Sequence, residues 1–401
     1  MPWEMSSADA RRALVVLMAV VFVNMAGFGV VIPLLPFYGR AFHASTVAIG
    51  AMFSAFAMGQ LFAETFWGRL SDRWGRRPVL IITISGAALA YLGLALAPNM
   101  ATAIAVRLLA GLTSGNISTI QGYLADITPA EQRPQRMGHL GAAFNMGFVT
   151  GPGLGGLLAK PSLGAVGFAL PLITAAGLAG LAALGVALFV RETRDPSYAA
   201  RPQPHRLETL KAAFSHPVIA RVLIAAFIVV AGFAGIEATY GLWTQARFGW
   251  GPREMGFAFM AIGVTGSIGQ GLITGALARR FGPAHVLSWG LAVVGLGMLV
   301  QLFSPTWPVA IAGLFTVAFG QSITFPNISA LISQSAPADR QGEVLGLNMA
   351  GNCLARIGGP IWASAAFAHL SIGAPFATAA ALIAPGWLLA RQVAARVREA
   401  V

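Results

Sequence analysis

Three charged side chains lie deep inside apolar runs of this sequence: Glu237 in the run 218–244, Arg107 in the run 101–123, and Arg356, to which no role is assigned, in the run 343–368. A charge at such a depth is costly and is a functional hypothesis by default. A carboxyl group in a partly dry site can load and unload a proton, and an arginine can pair with an acid or steer proton release. Glu237 is therefore a candidate to couple proton movement, and Arg107 is a candidate to pair with an acid or to steer proton release. The alternatives are a hydrogen-bonded structural glutamate and an arginine that reaches the membrane interface.

The elements that must position these charges are apolar runs of membrane length. A bilayer core needs about 20 apolar residues per helix. Of the 401 residues, 56% are hydrophobic and 10% are charged, whereas soluble domains carry nearer a quarter charged residues. The composition predicts an all-α membrane protein with twelve transmembrane helices. The predicted spans are 14–36, 46–66, 78–97, 101–123, 136–158, 165–190, 218–244, 254–276, 284–303, 307–334, 343–368 and 374–392.

The basic residues are distributed unevenly between the two sides of this predicted topology. Of 26 Lys and Arg, only Arg40, Lys160, Arg247 and Arg253 fall on one side, and Arg107 and Arg356 lie well inside spans. The remaining 20 lie in the alternate loops and tails or at the span ends next to them, which by the positive-inside rule places both termini in the cytoplasm. We expect a multi-pass protein of a bacterial-type inner (cell) membrane. Because no soluble module gathers basic charge, the net charge of +12 does not indicate nucleic-acid binding.

The chain repeats itself at about half its length. The charged segment from Gly68 to Gly75 has a weaker copy from Gly275 to Gly282, an offset of 207 residues. Other landmarks recur at 206 to 208 residues. These pairs are Gly50 with Gly256, Pro129 with Pro337, and Gly151-Pro152 with Gly359-Pro360. Two copies of one membrane unit predict two pseudo-symmetric six-helix halves. We assign 1–190 and 217–401 to the halves and 191–216 to a cytoplasmic linker.

The segment 68–77 is predicted to be a loop with one acid among its arginines. We expect Asp72 to pair with Arg76 or Arg73 and glycines to allow a tight turn. Together with Asp126, this cluster would be a latch that is made or broken as the halves move. The alternative is that the arginines only set topology. The candidate latch residues are Gly68, Asp72, Arg73, Gly75, Arg76 and Asp126.

Two further groups of residues are candidates for gating and for binding. Five glycines and a proline within ten residues of the fifth span predict a kinkable face that packs closely against a helix of the other half. The gating candidates are Gly147, Gly151, Pro152, Gly155 and Gly156. Sparse polar groups on an apolar wall suit amphiphilic ligands, although each aromatic side chain alone could serve packing. The cavity candidates are Asn24, Phe28, Asn116, Gln121, Phe233, Tyr240, Trp243, Gln321, Phe325 and Asn327.

Three motifs resemble those of the major facilitator superfamily. Leu70-Ser71-Asp72-Arg73-Trp74-Gly75-Arg76-Arg77 is similar to its loop signature, and Arg107-Leu108-Leu109-Ala110-Gly111 to its helix-4 signature. The run from Gly147 to Gly156 resembles the antiporter signature of helix 5. The chain looks like the twelve-helix drug:proton antiporters, including the tetracycline exporters, which the run from Gly122 to Arg133 resembles in particular.

The resemblance implies roles for these residues, and it also fails at specific positions. It assigns Arg107 to proton coupling and the helix-5 glycines to gating. Because helices 1, 4, 7 and 10 line the cavity of such proteins, it also implies that Arg107 and Glu237 can face one chamber. The tetracycline exporters carry membrane acids in helices 1, 3 and 9, where this sequence has Asn24, Ala90 and about Val293. Exchange of tetracycline with metal is therefore not expected in its usual form.

The function expected from residues and resemblance is proton-coupled export of hydrophobic or amphiphilic small molecules by alternating access. A sugar or metabolite exporter or symporter of the same fold is the alternative, and a non-transporting receptor or scaffold a remote one. The six scattered His make no ligand pattern and no phosphate-binding loop occurs, so we expect no enzyme, no metal and no cofactor besides the proton gradient. The expected partners are small lipophilic substrates, protons and the bilayer, with a monomeric protein.

Overall fold

The computed structural model describes residues 7–129, 132–193, 206–337 and 340–399, and these are helical with no strand among them. Short 3₁₀ turns at Ile32–Leu34 and Pro161–Phe168 and a π turn at Gly269–Ile273 connect or precede the helices. The helices are α1 (Ser7–Val31), α2 (Leu35–Ala41), α3 (Thr46–Trp74), α4 (Arg76–Ala95), α5 (Met100–Leu112), α6 (Asn116–Ile127), α7 (Arg133–Leu158), α8 (Ala169–Phe189), α9 (Arg206–Ser215), α10 (Pro217–Phe248), α11 (Pro252–Ile268), α12 (Thr274–Phe281), α13 (Pro283–Leu302), α14 (Trp307–Ser335), α15 (Gln341–His369) and α16 (Ala374–Glu399).

Ten helical segments of the described chain are long and apolar enough to cross a membrane. They correspond to ten of the twelve predicted spans. The other two predicted spans form α7 and α15, which have 26 and 29 residues but are not among these ten. Both helices contain small or polar residues that make them less apolar than the other spans. Glycines crowd α7, and α15 carries Asn348, Asn352 and Arg356.

Packing contacts divide the chain into two compact units that differ slightly from the two sequence halves. Among the described residues, unit 1 takes its members from Met1–Ala44, Ala55–Arg201 and Gly251–Met260. Unit 2 takes its members from Ser45–Ser54, Pro202–Trp250 and Ala261–Val401. The start of α3 thus packs with unit 2, and the start of α11 packs with unit 1. Of the predicted linker, 194–205 lies outside the described residues, and its last part forms α9.

Unit 1 has its core where α1, α4, α6 and α8 meet. Leu17, Leu80, Ile120 and Val186, one from each helix, are fully buried there. Because lipid tails are as apolar as these side chains, close packing must supply much of the attraction between helices.

Three glycines of α7 allow that helix to approach α1 in unit 1. They stand four residues apart on one face, and a Cβ on any of them would collide with a backbone carbonyl oxygen of α1. The pairs are Gly147 with Phe22, Gly151 with Ala26, and Gly155 with Val30.

Unit 2 is built around α10, which packs against α15 and α16, and around α13, which packs against α14 and α16. Close approach again depends on glycine. A Cβ on Gly235 of α10 would lie 2.9 Å from the carbonyl oxygen of Gly359, and a Cβ on Gly359 would collide with the carbonyl of Ala231. The two backbones therefore lie near enough for side chains of α10 and α15 to meet.

The segment 68–77 is not a loop, so that prediction was wrong. Helix α3 continues through it to Trp74, and Gly75 alone turns the chain with φ +102° before α4 begins. Gly282 makes the corresponding turn before α13 with φ +80°. Positive φ is the conformation that glycine adopts at least cost. Gly68 lies inside α3, where no turn requires a glycine.

The fourth predicted span is interrupted between α5 and α6. Helix α5 ends at Leu112, and the Thr113 and Ser114 hydroxyls donate to the carbonyl oxygens of Ala110 and Gly111 at 3.1 and 2.7 Å. Hydroxyl groups here satisfy carbonyls that have lost their helical partners. The break follows Arg107 by two helical turns and sets the end of the helix that positions it.

We expect Gly151→Ala to destabilise the protein by about 1 to 3 kcal/mol, because its Cβ would force α7 away from α1. The measurement is the thermal unfolding midpoint of purified protein in detergent. The matched control is Gly141→Ala on the same helix, where no atom lies within 4 Å of the added Cβ. There alanine should be neutral or stabilising because it favours the helix. Equal midpoints for both variants would contradict the close approach.

Candidate functional site

Glu237 is buried in unit 2 and is paired with an arginine of the same unit. The residue is 5% exposed, and its Oε2 lies 3.2 Å from Nη2 of Arg356. The side chains differ in exposure, at 3% for Glu237 and 31% for Arg356. The ion pair joins α10 to α15 just where glycines bring the two helices together. Removing one member would deprive the other of this counter-charge in a largely apolar surrounding, which is unfavourable.

Arg107 lies in unit 1 and has a different environment. It is 2% exposed, and its guanidinium carbon lies 4.4 Å from the centre of the Phe56 ring. A cation over an aromatic face is attracted by the ring quadrupole. Gly111, one turn further along α5, packs against the carbonyl of Phe56 and brings α3 close. Arg107 is therefore an arginine packed inside unit 1, and the alternative of a side chain that reaches the membrane interface does not apply.

The ion pair gives Glu237 a partner, Arg356, that the sequence did not predict. Sequence reasoning expected Glu237 and Arg107 to face one chamber and gave Arg356 no role. A charge count could have found the pair, because Glu237 is the only acid well inside a span of the second half and Arg356 the only cation there.

The cavity candidates have unequal exposure. Tyr240 and Trp243 are 1% and 2% exposed and pack with Phe376 of α16, with ring centroids 4.8 Å apart for Trp243 and Phe376. These two residues therefore belong to the interior of unit 2 rather than to an accessible wall. The other candidates in unit 2 are Phe233 and Phe325, which are half-buried, and Gln321 and Asn327, which are buried. In unit 1, Gln121 is exposed, Phe28 is half-buried, and Asn24 and Asn116 are buried.

The buried side-chain amides among the cavity candidates differ in their hydrogen bonds. The Asn327 amide donates to the carbonyl of Ile323 at 2.7 Å. Nε2 of Gln321 is buried without a hydrogen-bond partner within the described residues. Phe28 packs against Phe56 with ring centroids 5.7 Å apart. Of the polar candidates, Gln321 therefore has the clearest unused hydrogen-bonding capacity.

The glycines and proline of the helix-5 motif serve two interfaces. The face that carries Gly147, Gly151 and Gly155 packs on α1, as described above. The face that carries Pro152 and Gly156 meets the first turns of α11, where a Cβ on Gly156 would lie 2.6 Å from the carbonyl oxygen of Pro252. These turns of α11 come from the second half of the sequence but pack in unit 1. The motif therefore meets the other half through a short, glycine-lined contact.

The Arg76 cluster comprises Asp72, Arg76, Asp126 and Glu192 in unit 1. Arg76 Nη2 lies 3.0 Å from Asp72 Oδ1, and its Nε lies 3.4 Å from Asp126 Oδ2. Its Nη1 donates to the Ser71 hydroxyl at 2.8 Å. The expected pairing of Asp72 is thus with Arg76 rather than Arg73. Arg73 is exposed and forms no ion pair within the described residues.

Glu192 is the member of this cluster that sequence reasoning missed. Its carboxylate accepts the backbone N–H groups of Arg76 and Arg77 at 2.8 and 3.0 Å. These are the first amides of α4, which lack helical acceptors and carry the positive end of the helix dipole. Glu192 follows α8 by three residues, so it ties the end of α8 to the start of α4. Because more than 100 residues separate Glu192 from Arg76, no local sequence pattern could predict this contact.

Space for the Arg76 side chain comes from Gly122 of α6. A Cβ there would lie 2.7 Å from the guanidinium carbon. The glycine therefore admits the guanidinium between α3 and α6, where it reaches both aspartates. In the described part of the chain, no three His, Cys, Asp or Glu side chains gather where a metal ion could bind.

The sequence profile of the Major Facilitator Superfamily matches residues 17–360 and, in a second match, residues 222–399. The chain therefore belongs to this superfamily. It is 30% identical over 366 residues to the tetracycline resistance protein, class C, of Escherichia coli, with 90% of each chain covered. It is 26% identical over 381 residues to multidrug resistance protein 2 of Bacillus subtilis (strain 168), with 92% of each covered.

A solved structure supports the same fold. The bacterial homolog of the human lysosomal transporter Spinster, in its inward-facing and occupied conformation, has a TM-score of 0.79 at 14% identity, with 98% of this chain and 96% of that chain covered. The all-α major facilitator fold is thus confirmed. The protein is a multi-pass membrane transporter of small molecules and not an enzyme.

We expect Arg76→Ala to slow transport turnover while leaving equilibrium substrate affinity nearly unchanged, because it removes the ion pairs of Arg76 with Asp72 and Asp126. The measurement compares initial rates in proteoliposomes with binding in detergent. Arg73→Ala is the matched control, since it removes a neighbouring exposed arginine and should keep the normal rate. A normal rate in Arg76→Ala would reduce the cluster to a topology signal.

Proposed function

We propose that this transporter exports hydrophobic or amphiphilic small molecules in exchange for protons by alternating access. The ion pair between Glu237 and Arg356 carries the proposal, because it sets a titratable carboxyl group of α10, a helix long and apolar enough to cross a membrane, against a counter-charge on α15. The family membership and the names of the relatives, which are resistance proteins for tetracycline and for multiple drugs, agree with export of this kind.

Protonation of Glu237 would change the charge of this site. With the carboxylate ionised, the pair is neutral and holds α10 to α15. With the carboxyl protonated, Arg356 loses its counter-ion and must find another acceptor or water. The two protonation states therefore favour different arrangements of the surrounding helices, which is the requirement for coupling a proton to a conformational change. Arg107, held over Phe56, is a candidate to steer proton release from the first half.

The Arg76 cluster and the glycines of α7 are the proposed moving contacts. Charge pairs at the turn between α3 and α4 can form in one conformation and break in another. Glycine-lined contacts between α7 and α11 can separate without leaving bulky side chains unpacked. Rocking of repeats around a central site is the usual mode of secondary transport.

The cavity candidates include few hydrogen-bonding groups. Such a wall favours amphiphilic substrates of many different structures. An apolar wall cannot strongly reject a ligand of similar size. Asn24 and Ala90 are buried and neutral where the resembling exporters have acids, and Val293 is neutral too. We therefore propose that chelates of tetracycline and a divalent metal are poor substrates.

The proposed location is a bacterial inner membrane with both termini in the cytoplasm. The excess of Lys and Arg in the alternate loops supports this orientation. The proposed partners are protons, lipophilic substrates and lipid, and the proposed working state is a monomer. No cofactor is proposed beyond the proton gradient.

We expect Glu237→Gln to abolish transport driven by a pH gradient while some substrate binding remains, because the amide keeps the shape and loses the titration. The measurement is substrate accumulation in proteoliposomes with an imposed pH gradient. The control is Glu208→Gln, the same change at an exposed residue of α9. If Glu237→Gln vesicles still accumulate substrate against its gradient, another group couples the proton.

A further inference from the structure

The Arg356 guanidinium is paired on only one edge. A guanidinium group has five N–H donors, and within the described residues the structure shows one ion-pair contact, from Nη2 to Glu237. None of its nitrogen atoms is buried without a partner. The arginine side chain is 31% exposed, whereas the carboxylate side chain is 3% exposed. A ligand would therefore meet the guanidinium before the carboxylate.

Arg356 lies beside positions of α15 that pack against other helices of unit 2. Met349, which is 53% exposed, lies only about 20° around α15 from Arg356, whereas Leu354 and Ile361, which are 52% and 43% exposed, mark a different side of the helix. At 3.6 residues per turn, Arg356 lies about 140 to 160° around the helix from both. The positions on either side of it contact protein, since Gly359 packs on α10 and Pro360 lies against Gly50 of α3. Arg356 is therefore flanked by positions that contact protein, while 31% of its own side chain stays exposed.

We infer that the open edge of Arg356 is a subsite for the carboxylate of an amphiphilic substrate. Arginine binds carboxylates through two parallel N–H···O bonds, and such charge-assisted pairs are among the stronger hydrogen bonds. Glu237 is then the internal carboxylate that neutralises the guanidinium when no substrate is bound. The substrate class is a lipophilic body with an acidic group. The inference rests on the proposed transport of amphiphiles.

Charge explains why acids rather than amines suit this position. A cationic group would approach the exposed guanidinium and be repelled, while the carboxylate that could attract it is nearly inaccessible. A neutral ester keeps the lipophilic body and loses the charge that strengthens the bonds. Removing the charge of Glu237 should strengthen binding of an acid, because the internal competitor disappears.

The test is equilibrium binding of a matched pair of probes to the purified full-length protein in detergent, without any gradient. The probes are 11-(dansylamino)undecanoic acid and its methyl ester, followed by fluorescence at neutral pH. We expect the wild-type protein to prefer the acid by at least about tenfold, which is about 1.4 kcal/mol. Arg356→Gln should lose this preference and still bind the ester. Glu237→Gln should increase the preference.

Two further variants keep the test decisive. Arg356→Gln combined with Glu237→Gln leaves no unpaired charge, so it should fold, bind the ester and show no preference even if Arg356→Gln alone is unstable. Arg391→Gln, at an exposed arginine of α16, should keep the wild-type preference. Equal affinity of both probes for the wild-type protein, or a preference retained in the double variant, would overturn the inference. Because no gradient is used, this result is separate from failure of proton coupling.

Discussion

A charged side chain inside a membrane span requires a partner, and this requirement governs the site. An unpaired carboxylate in a low-dielectric environment is strongly unfavourable, and so is an unpaired guanidinium. Glu237 and Arg356 satisfy each other across 3.2 Å. The site is therefore neutral as a pair, and a single proton changes its charge. Such a balance makes a buried ion pair a suitable switch in a carrier that must alternate between two states.

The pair depends in turn on close packing of small residues. Gly235 and Gly359 bring α10 and α15 together, and larger side chains there would separate the two charges. Glycines likewise allow close contact of α7 with α1 and with the first turns of α11. In unit 1, Gly122 makes room for Arg76, and Glu192 holds the start of α4. Glycines and charge pairs thus act together, because the close approach of backbones lets short-range electrostatic contacts form.

Much of the fold could be predicted because it follows from local properties. Apolar runs of membrane length indicate helices, and Gly75 and Gly282 recur at the same place in both halves. An ion pair of Asp72 with Arg76 or Arg73 could be expected from their closeness in sequence, and the turn at Gly75 between α3 and α4 selects Arg76. The partner of Glu237 and the capping role of Glu192 could not be predicted in the same way, since each depends on helices that are distant in sequence. The continuation of α3 to Trp74 was missed because charged residues were taken as a loop, although charge does not end a helix.

Infrared difference spectroscopy of the purified protein tests the central claim most directly. Spectra recorded across the pH range of transport report the C=O stretch of a protonated carboxyl group. The account predicts a band that appears on acidification, is absent in Glu237→Gln, and shifts in Arg356→Gln because the counter-ion is gone. Transport should respond to pH over the same range in which the Glu237 band changes. If the Glu237 carboxyl group kept one protonation state throughout that range, the result would contradict proton coupling through this residue.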